Sequence, residues 1–419
     1  MLTVAAEAAS VEGDAVDALV LIAALLVCSI TARALTRVWV STALLLVVLG
    51  VLLGPPGLGL FDLAITTSTV HLVAAIALAT VLFGDAAATD VRRLRVVASQ
   101  PIRLLSIGLL GSVALGTVLA GVLLPAITWP LALVVAAILA PTDAALGAPV
   151  VSDPAVPEDV REVLTVESGL NDGLAVPILL VGLAWADLQE IDEAGFVALV
   201  GRVVGIGVLS GLGVAALVAV TLRAVSRRWG TTRAWVELTP LLAAVACYVL
   251  AEHLGGSGFI AAFVGGLAFG ALYRQRGDDE LIVDEGVSDL LQGTTWFIFG
   301  AAAVGPLLLD VAVDPRWVVY ALLSLTVVRF LPVWLALLGT RSPWPTVVFM
   351  AWFGPRGLAS VVFLVIVLDL SPNDAATASI VGTVTLTVLL SVVLHGVSAR
   401  PAAKAYGAWH ARRQVARGR

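Results

Sequence analysis

Charge is what this chain has least of. Asp, Glu, Lys and Arg make up 13% of its 419 residues, about half the share of a soluble globular domain. With 60% hydrophobic residues and a mean hydropathy of +1.03, a water-soluble fold is excluded. The only cysteines, Cys28 and Cys247, lie in apolar segments, so neither a disulfide framework nor a thiolate metal cluster is indicated. His71, His253, His395 and His410 form no pair at ligand spacing, which leaves metal catalysis without support and calls for no cofactor. The ten-residue alternation of an outer-membrane barrel is missing as well. No Lys or Arg precedes Arg33, whereas Glu7, Glu12, Asp14 and Asp17 do, the wrong charge for a cleaved signal peptide.

What remains is a set of apolar runs of roughly 20 residues, the length of a membrane-spanning helix. The fold class expected is an all-α polytopic membrane protein with spans at about 16–35, 38–56, 69–88, 103–124, 130–150, 162–184, 194–224, 235–253, 256–273, 288–309, 314–339, 345–368 and 376–398. That makes thirteen. Basic residues near span ends stay on the cytoplasmic side, so the tail with Arg400, Lys404, Arg412, Arg413, Arg417 and Arg419 is expected inside. Thirteen passes then place the N-terminus outside. On this count Arg33, Arg37, Arg92, Arg93, Arg95, Arg103, Arg161, Arg223, Arg227, Arg228, Arg233, Arg274, Arg276 and Arg341 all fall inside, and only Arg316 falls outside. Asp62, Asp187, Glu190, Asp192, Glu193, Asp310, Asp314, Asp369 and Asp374 fall on outer loops or outer span ends.

Thirteen spans permit two inverted six-span units, the first to sixth and the eighth to thirteenth, a recurrent transporter plan with the site at the midplane. Corresponding spans five and twelve both carry helix breakers beside a charge: Pro141, Gly147 and Pro149 near Asp143, and GPRGLAS from Gly354 to Ser360 around Arg356. A span broken there exposes backbone groups, tolerated at membrane depth only against protein, ions or water. The two breaks are expected to cross at the midplane.

The first break opens the stretch Ala140 to Pro177, which places acids inside the membrane, where ionisable groups are functional-site candidates by default. On a helix Ser168 and Asp172 share one face, and Glu167 with Asn171 forms the adjoining stripe. A carboxylate with a hydroxyl and backbone carbonyls is a hard-oxygen environment suited to an alkali cation. The same carboxylate can take a proton instead, and that competition suffices for exchange. Asp85 is read as interfacial, Arg202 as snorkelling outward, and His71 and His395 as packing partners rather than pH sensors.

The order APTDAALGAPVVSDP, ESGLNDG, an arginine in VVRFLPVW and then GPRGLAS resembles the NhaP-type monovalent cation:proton antiporters, relatives of the sodium/proton exchangers. Weaker matches include LLGPPGLGL, ATVLFGDA and GFIAAFVGGLAFG. The resemblance implies Asp172 as the ion-binding and proton-carrying carboxylate, with Asn171, Ser168, Thr142 and Asp143 lining the site. Sodium would be held by Asp172, Ser168 and Thr142, the last through its main-chain oxygen, and Asp143 would act through water. Glu167 would pair with the arginine at the matching position, Arg329, and Arg356 would sit at the break of span twelve. Family members often follow Thr-Asp with Pro; here Ala144 stands there. Asn171 before Asp172, rather than a second aspartate, implies one proton for one cation.

The function implied is sodium (or lithium) for proton exchange at the cytoplasmic membrane, serving pH homeostasis, not an enzyme, with potassium/proton exchange as the alternative. A channel would need a filter-like repeat, a hydrolase a base near Ser168, and a sensor a signalling domain after span thirteen; none is visible. The chain is read as one transporter unit over 1–419: scaffold spans at 16–124 and 235–309, core spans at 130–184 and 314–398, a linking helix at 194–224 and a short basic tail at 399–419. Expected partners are membrane lipid, monovalent cations and protons, and a second copy of the chain, with no nucleic acid.

Overall fold

Backbone amides in hydrocarbon must find partners within their own segment, and the described residues of the computed structural model are accordingly helical almost throughout. They are 2–38, 41–62, 68–89, 99–186, 193–274, 285–340, 342–370 and 375–417. Arg92, Arg93, Arg95, Arg276, Arg341, Arg419, Asp187, Glu190, Asp192 and Asp374, used above for orientation, lie outside the described residues.

In chain order the helices are Leu2–Val38 (α1), Thr42–Leu53 (α2), Ser68–Ala88 (α3), Ser99–Leu123 (α4), Trp129–Leu139 (α5), Ala144–Val151 (α6), Glu158–Ala186 (α7), Glu193–Arg228 (α8), Arg233–His253 (α9) and Gly258–Arg274 (α10). Glu285–Phe299 (α11) runs through a π-helical turn, Gly300–Val304, into Gly305–Leu309. Pro315–Leu325 (α12), Val327–Leu337 (α13), Trp344–Trp352 (α14), Leu358–Leu370 (α15) and Ala375–Arg417 (α16) complete the chain. Among the described residues, ten helical stretches are long and apolar enough to cross a membrane, and Thr42–Leu53, Gly258–Tyr273 and Leu358–Leu368 are shorter apolar helices. This is a multi-pass, all-helical membrane protein.

Helix ends follow local chemistry. The Ser41 hydroxyl accepts the Leu44 N–H at 3.2 Å to start α2, and Asp314 accepts the Arg316 N–H at 2.8 Å to start α12. The tight connection between α9 and α10 turns on Gly255, whose φ of 77° lies in the left-handed region, while Glu252 Oε1 accepts the Gly258 N–H at 2.8 Å.

Helices α3, α8, α9 and α10 pack on one another, and α2 packs on α11 and its π-helical turn. Elsewhere α5 lies between α4 and α7, α12 lies along α16, and α13 packs on α14 and on the π-helical turn Leu104–Gly108 inside α4.

Several sequence expectations are corrected by the backbone. Span five breaks at 140–143, ahead of Gly147 and Pro149, which both sit inside α6. The eleventh span is also interrupted, at Thr326 (φ −113°, ψ −88°), between α12 and α13. Thr326 itself is neither glycine nor proline; Pro332, six residues on, is the nearest helix breaker in the span. The short basic tail is helical in its described part: it continues α16 to Arg417, with Ala399, Ala403 and Tyr406 buried. The Tyr406 hydroxyl lies 2.8 Å from Thr346 Oγ1, and its ring stacks on Phe349 with centroids 4.2 Å apart.

Candidate ion site at the paired helix breaks

Helix α5 stops with its last carbonyls unpaired, as every helix must. Here the missing donors come from the other break. Ser360 Oγ donates to Ile138 O at 2.7 Å, and Arg356 Nη1 donates to Ala140 O at 2.9 Å and Pro141 O at 3.3 Å. Arg356 Nη2 reaches Ser324 O at 3.4 Å, near the end of α12. A fully buried guanidinium thus faces the negative ends of two interrupted helices, where a cation is stabilising.

Asp143 does the complementary work at the positive ends. Its Oδ1 accepts the Leu146 N–H at 2.7 Å, capping α6, and its Oδ2 accepts the Leu358 N–H at 2.8 Å, at the start of α15. Its own N–H donates to Pro355 O at 2.8 Å. Residue 357 must be glycine, since a Cβ there would overlap the Asp143 carboxylate. Asp143 is thereby engaged as a cap for both breaks, through the protein's own amides.

The polar patch on α7 faces these breaks, with Thr142, Ser168, Asn171 and Asp172 all buried. Asn171 Nδ2 donates to Thr142 Oγ1 at 2.6 Å, and Thr142 Oγ1 lies 3.1 Å from Ser168 Oγ. Asp172 Oδ1 and Asn171 Oδ1 are buried and receive no donor from the described residues. An unsatisfied buried acceptor is costly, and two such oxygens beside hydroxyls make a donor set that fits a hard cation or, at the carboxylate, a proton.

One turn away the balance is different. Arg329 on α13 binds Glu167 in bidentate fashion, Nη1 to Oε1 at 2.5 Å and Nη2 to Oε2 at 3.0 Å, with both side chains buried. The kink at Thr326 starts the helix that carries this arginine. A Cβ at Gly354 would meet Arg329 Nε and Thr142 Cγ2, so the linker of the second break packs directly between the ion pair and Thr142.

The profile of the family described as "Sodium/hydrogen exchanger, transmembrane" matches residues 20–405, nearly the whole chain. The chain belongs to the sodium/hydrogen exchanger family. That family is one of membrane transporters. It is 26% identical over 365 residues to the K(+)/H(+) antiporter NhaP2 of Shewanella oneidensis, covering 84% of this chain and 61% of that protein. To the K(+)/H(+) antiporter NhaP of Alkalimonas amylolytica it is 26% identical over 331 residues, covering 78% and 56%. The chain thus spans about three-fifths of the length of these curated relatives. Its fold is similar to that of the sodium proton antiporter MjNhaP1 from Methanocaldococcus jannaschii at pH 8, with a TM-score of 0.74 and 24% identity over 91% of this chain and 96% of that one.

Asp85, read from the sequence as interfacial, is half-buried in the last turn of α3. Asp85 on α3 packs against Gly169 of α7, 3.5 Å from where a Cβ would stand. Ser360 closes the GPRGLAS run read from the sequence, whereas Ser324 and Ser391, which also serve the second break, carry no distinguishing sequence signal.

Proposed function

We propose that this chain is a secondary-active antiporter that exchanges sodium or lithium for protons by alternating access, with Asp172 binding cation and proton in turn. The observation that carries the reading is the Asp172 carboxylate: buried on α7, one turn from Ser168 and next to Asn171, which both contact Thr142, with an oxygen that receives no donor from the described residues. A bare carboxylate at that depth is costly, so the carrier resists crossing the membrane empty and charged. Loaded with a cation or with a proton it is neutral. One such group, with Glu167 already neutralised by Arg329, supports electroneutral exchange of one proton for one cation. Asn171, Ser168 and Thr142 line the site, and Asp143 and Arg356 hold the two breaks in register around it.

We infer thirteen passes, the ten long spans and the three shorter apolar helices, forming two inverted six-span repeats with the N-terminus outside and the C-terminus in the cytoplasm. The core over 130–184 and 314–398 would move against a scaffold over 16–124 and 235–309, with 194–224 linking them and a second copy of the chain docking on the scaffold. The relatives named as potassium/proton antiporters favour a second reading, in which the same site carries potassium.

The test is dissipation of an imposed pH gradient in proteoliposomes by sodium, lithium or potassium, with membrane potential clamped and unclamped. Equal dissipation under both conditions, absent in Asp172→Asn, is the expected result. A gradient that persists with all three cations, or an active Asp172→Asn, overturns the reading. Faster response to potassium than to sodium selects the second.

A further inference from the structure

Helix α14 ends at Trp352, and its last carbonyl points towards α16 rather than towards the ion site. There His395 Nε2 lies 2.9 Å from Trp352 O, while Nδ1 lies 3.2 Å from Ser391 Oγ and 2.9 Å from Ser391 O. Ser391 Oγ in turn accepts the Arg356 backbone N–H at 2.6 Å. His395 is 2% exposed and Ser391 is fully buried. Both ring nitrogens thus face a backbone carbonyl, and Trp352 O also accepts the Gly354 N–H at 2.9 Å. Ser391 oxygen is occupied by the Arg356 amide, so its hydroxyl proton is free to be donated to Nδ1. With that hydroxyl donating to Nδ1, the ring proton sits on Nε2 and goes to Trp352 O; this tautomer is assigned from the network. The charged groups facing the ring are Arg356 and Arg329.

We propose that His395, with Ser391, is a positioning residue for the ion site. One imidazole on an unbroken helix grips both sides of the second break: the end of α14 directly, and the linker through Ser391 and the Arg356 amide. From that linker the path to the site is short. Pro355 O receives the Asp143 N–H, and Gly354 packs on Thr142 and Arg329. His395 touches neither Asp172 nor its cargo. It sets where Thr142 and Asp143 stand, and therefore how well the site fits a cation, which makes its effect one of affinity rather than turnover.

This inference rests on the reading of Asp172 as the ion-binding group, and the experiment separates the two. Half-saturating concentration and maximal rate are measured in proteoliposomes, with the cation that wild type exchanges fastest, for His395→Ala, His395→Gln, Ser391→Ala and Asp172→Asn. Loss of a buried, backbone-directed hydrogen bond predicts a half-saturating concentration about tenfold higher in His395→Ala at little-changed maximal rate. His395→Gln, whose amide can donate in place of Nε2, is expected within about twofold of wild type, with an unaltered pH profile. Ser391→Ala moves in the same direction as His395→Ala and decides the matter if that variant does not fold. Wild-type saturation in the alanine variants, no rescue by glutamine, a loss confined to maximal rate, or a pH profile shifted in His395→Gln overturns the positioning role. An active Asp172→Asn overturns the underlying site reading instead.

Discussion

Asp143 and Leu358 are 215 residues apart in the chain and are joined by a single hydrogen bond of 2.8 Å between a carboxylate oxygen and a backbone amide. The other oxygen of the same carboxylate caps α6. One side chain therefore serves the positive ends of two interrupted helices.

Replacing Asp143 with alanine removes both caps at once. At about 1 to 2 kcal/mol for each, the expected loss is about 2 to 4 kcal/mol, seen as a lower melting temperature of the detergent-solubilised protein. Asp143→Asn keeps one acceptor oxygen and should recover part of the loss. An alanine variant that melts with wild type would show that the caps contribute little.

Glycine positions at the breaks differ sharply in tolerance. Gly357→Ala drives a methyl into the Asp143 carboxylate, whereas a Cβ at Gly147 meets nothing within 4 Å. The first substitution should abolish folded protein or exchange. The second, inside α6, should be neutral or stabilising by about 0.5 to 1 kcal/mol, as Gly to Ala usually is in a helix. Size-exclusion profiles with melting curves for the pair check this.

For the buried pair of Glu167 and Arg329, either single replacement strands a buried charge and is expected to cost about 3 to 5 kcal/mol. Glu167→Gln combined with Arg329→Gln should cost less than the two single changes summed. Melting temperatures around the double-mutant cycle measure the coupling, and additive losses would argue that the two side chains do not act as a pair.

Competition at Asp172 sets the sign of the pH dependence. A cation ligand must be deprotonated, so in the acid range, where proton and cation compete for one group, each unit drop in pH should raise the half-saturating cation concentration about tenfold. At higher pH, with the carboxylate bare, the concentration should level off. Proteoliposome saturation curves across pH give the slope; one that stays flat into acid argues against a shared site.

The composition, the apolar runs and the i, i+4 spacing of Ser168 and Asp172 were enough to indicate a helical membrane transporter with a polar patch on one span. Breaks near Pro141 and Gly354 were legible too, because proline and glycine act on the backbone within a turn or two of themselves. These are local properties, and local properties are what a single sequence carries.

Partnership between distant segments was decided only by the tertiary structure. That Asp143 caps α15 as well as α6, that Asp85 stands beside Gly169 and that Thr326 interrupts α12 and α13 all depend on which helix faces meet. In a chain that is 60% hydrophobic nearly every face is apolar, and lipid is as apolar as the neighbouring helix, so hydropathy does not choose between them. Packing and buried hydrogen bonds make that choice, and they exist only once the helices have come together.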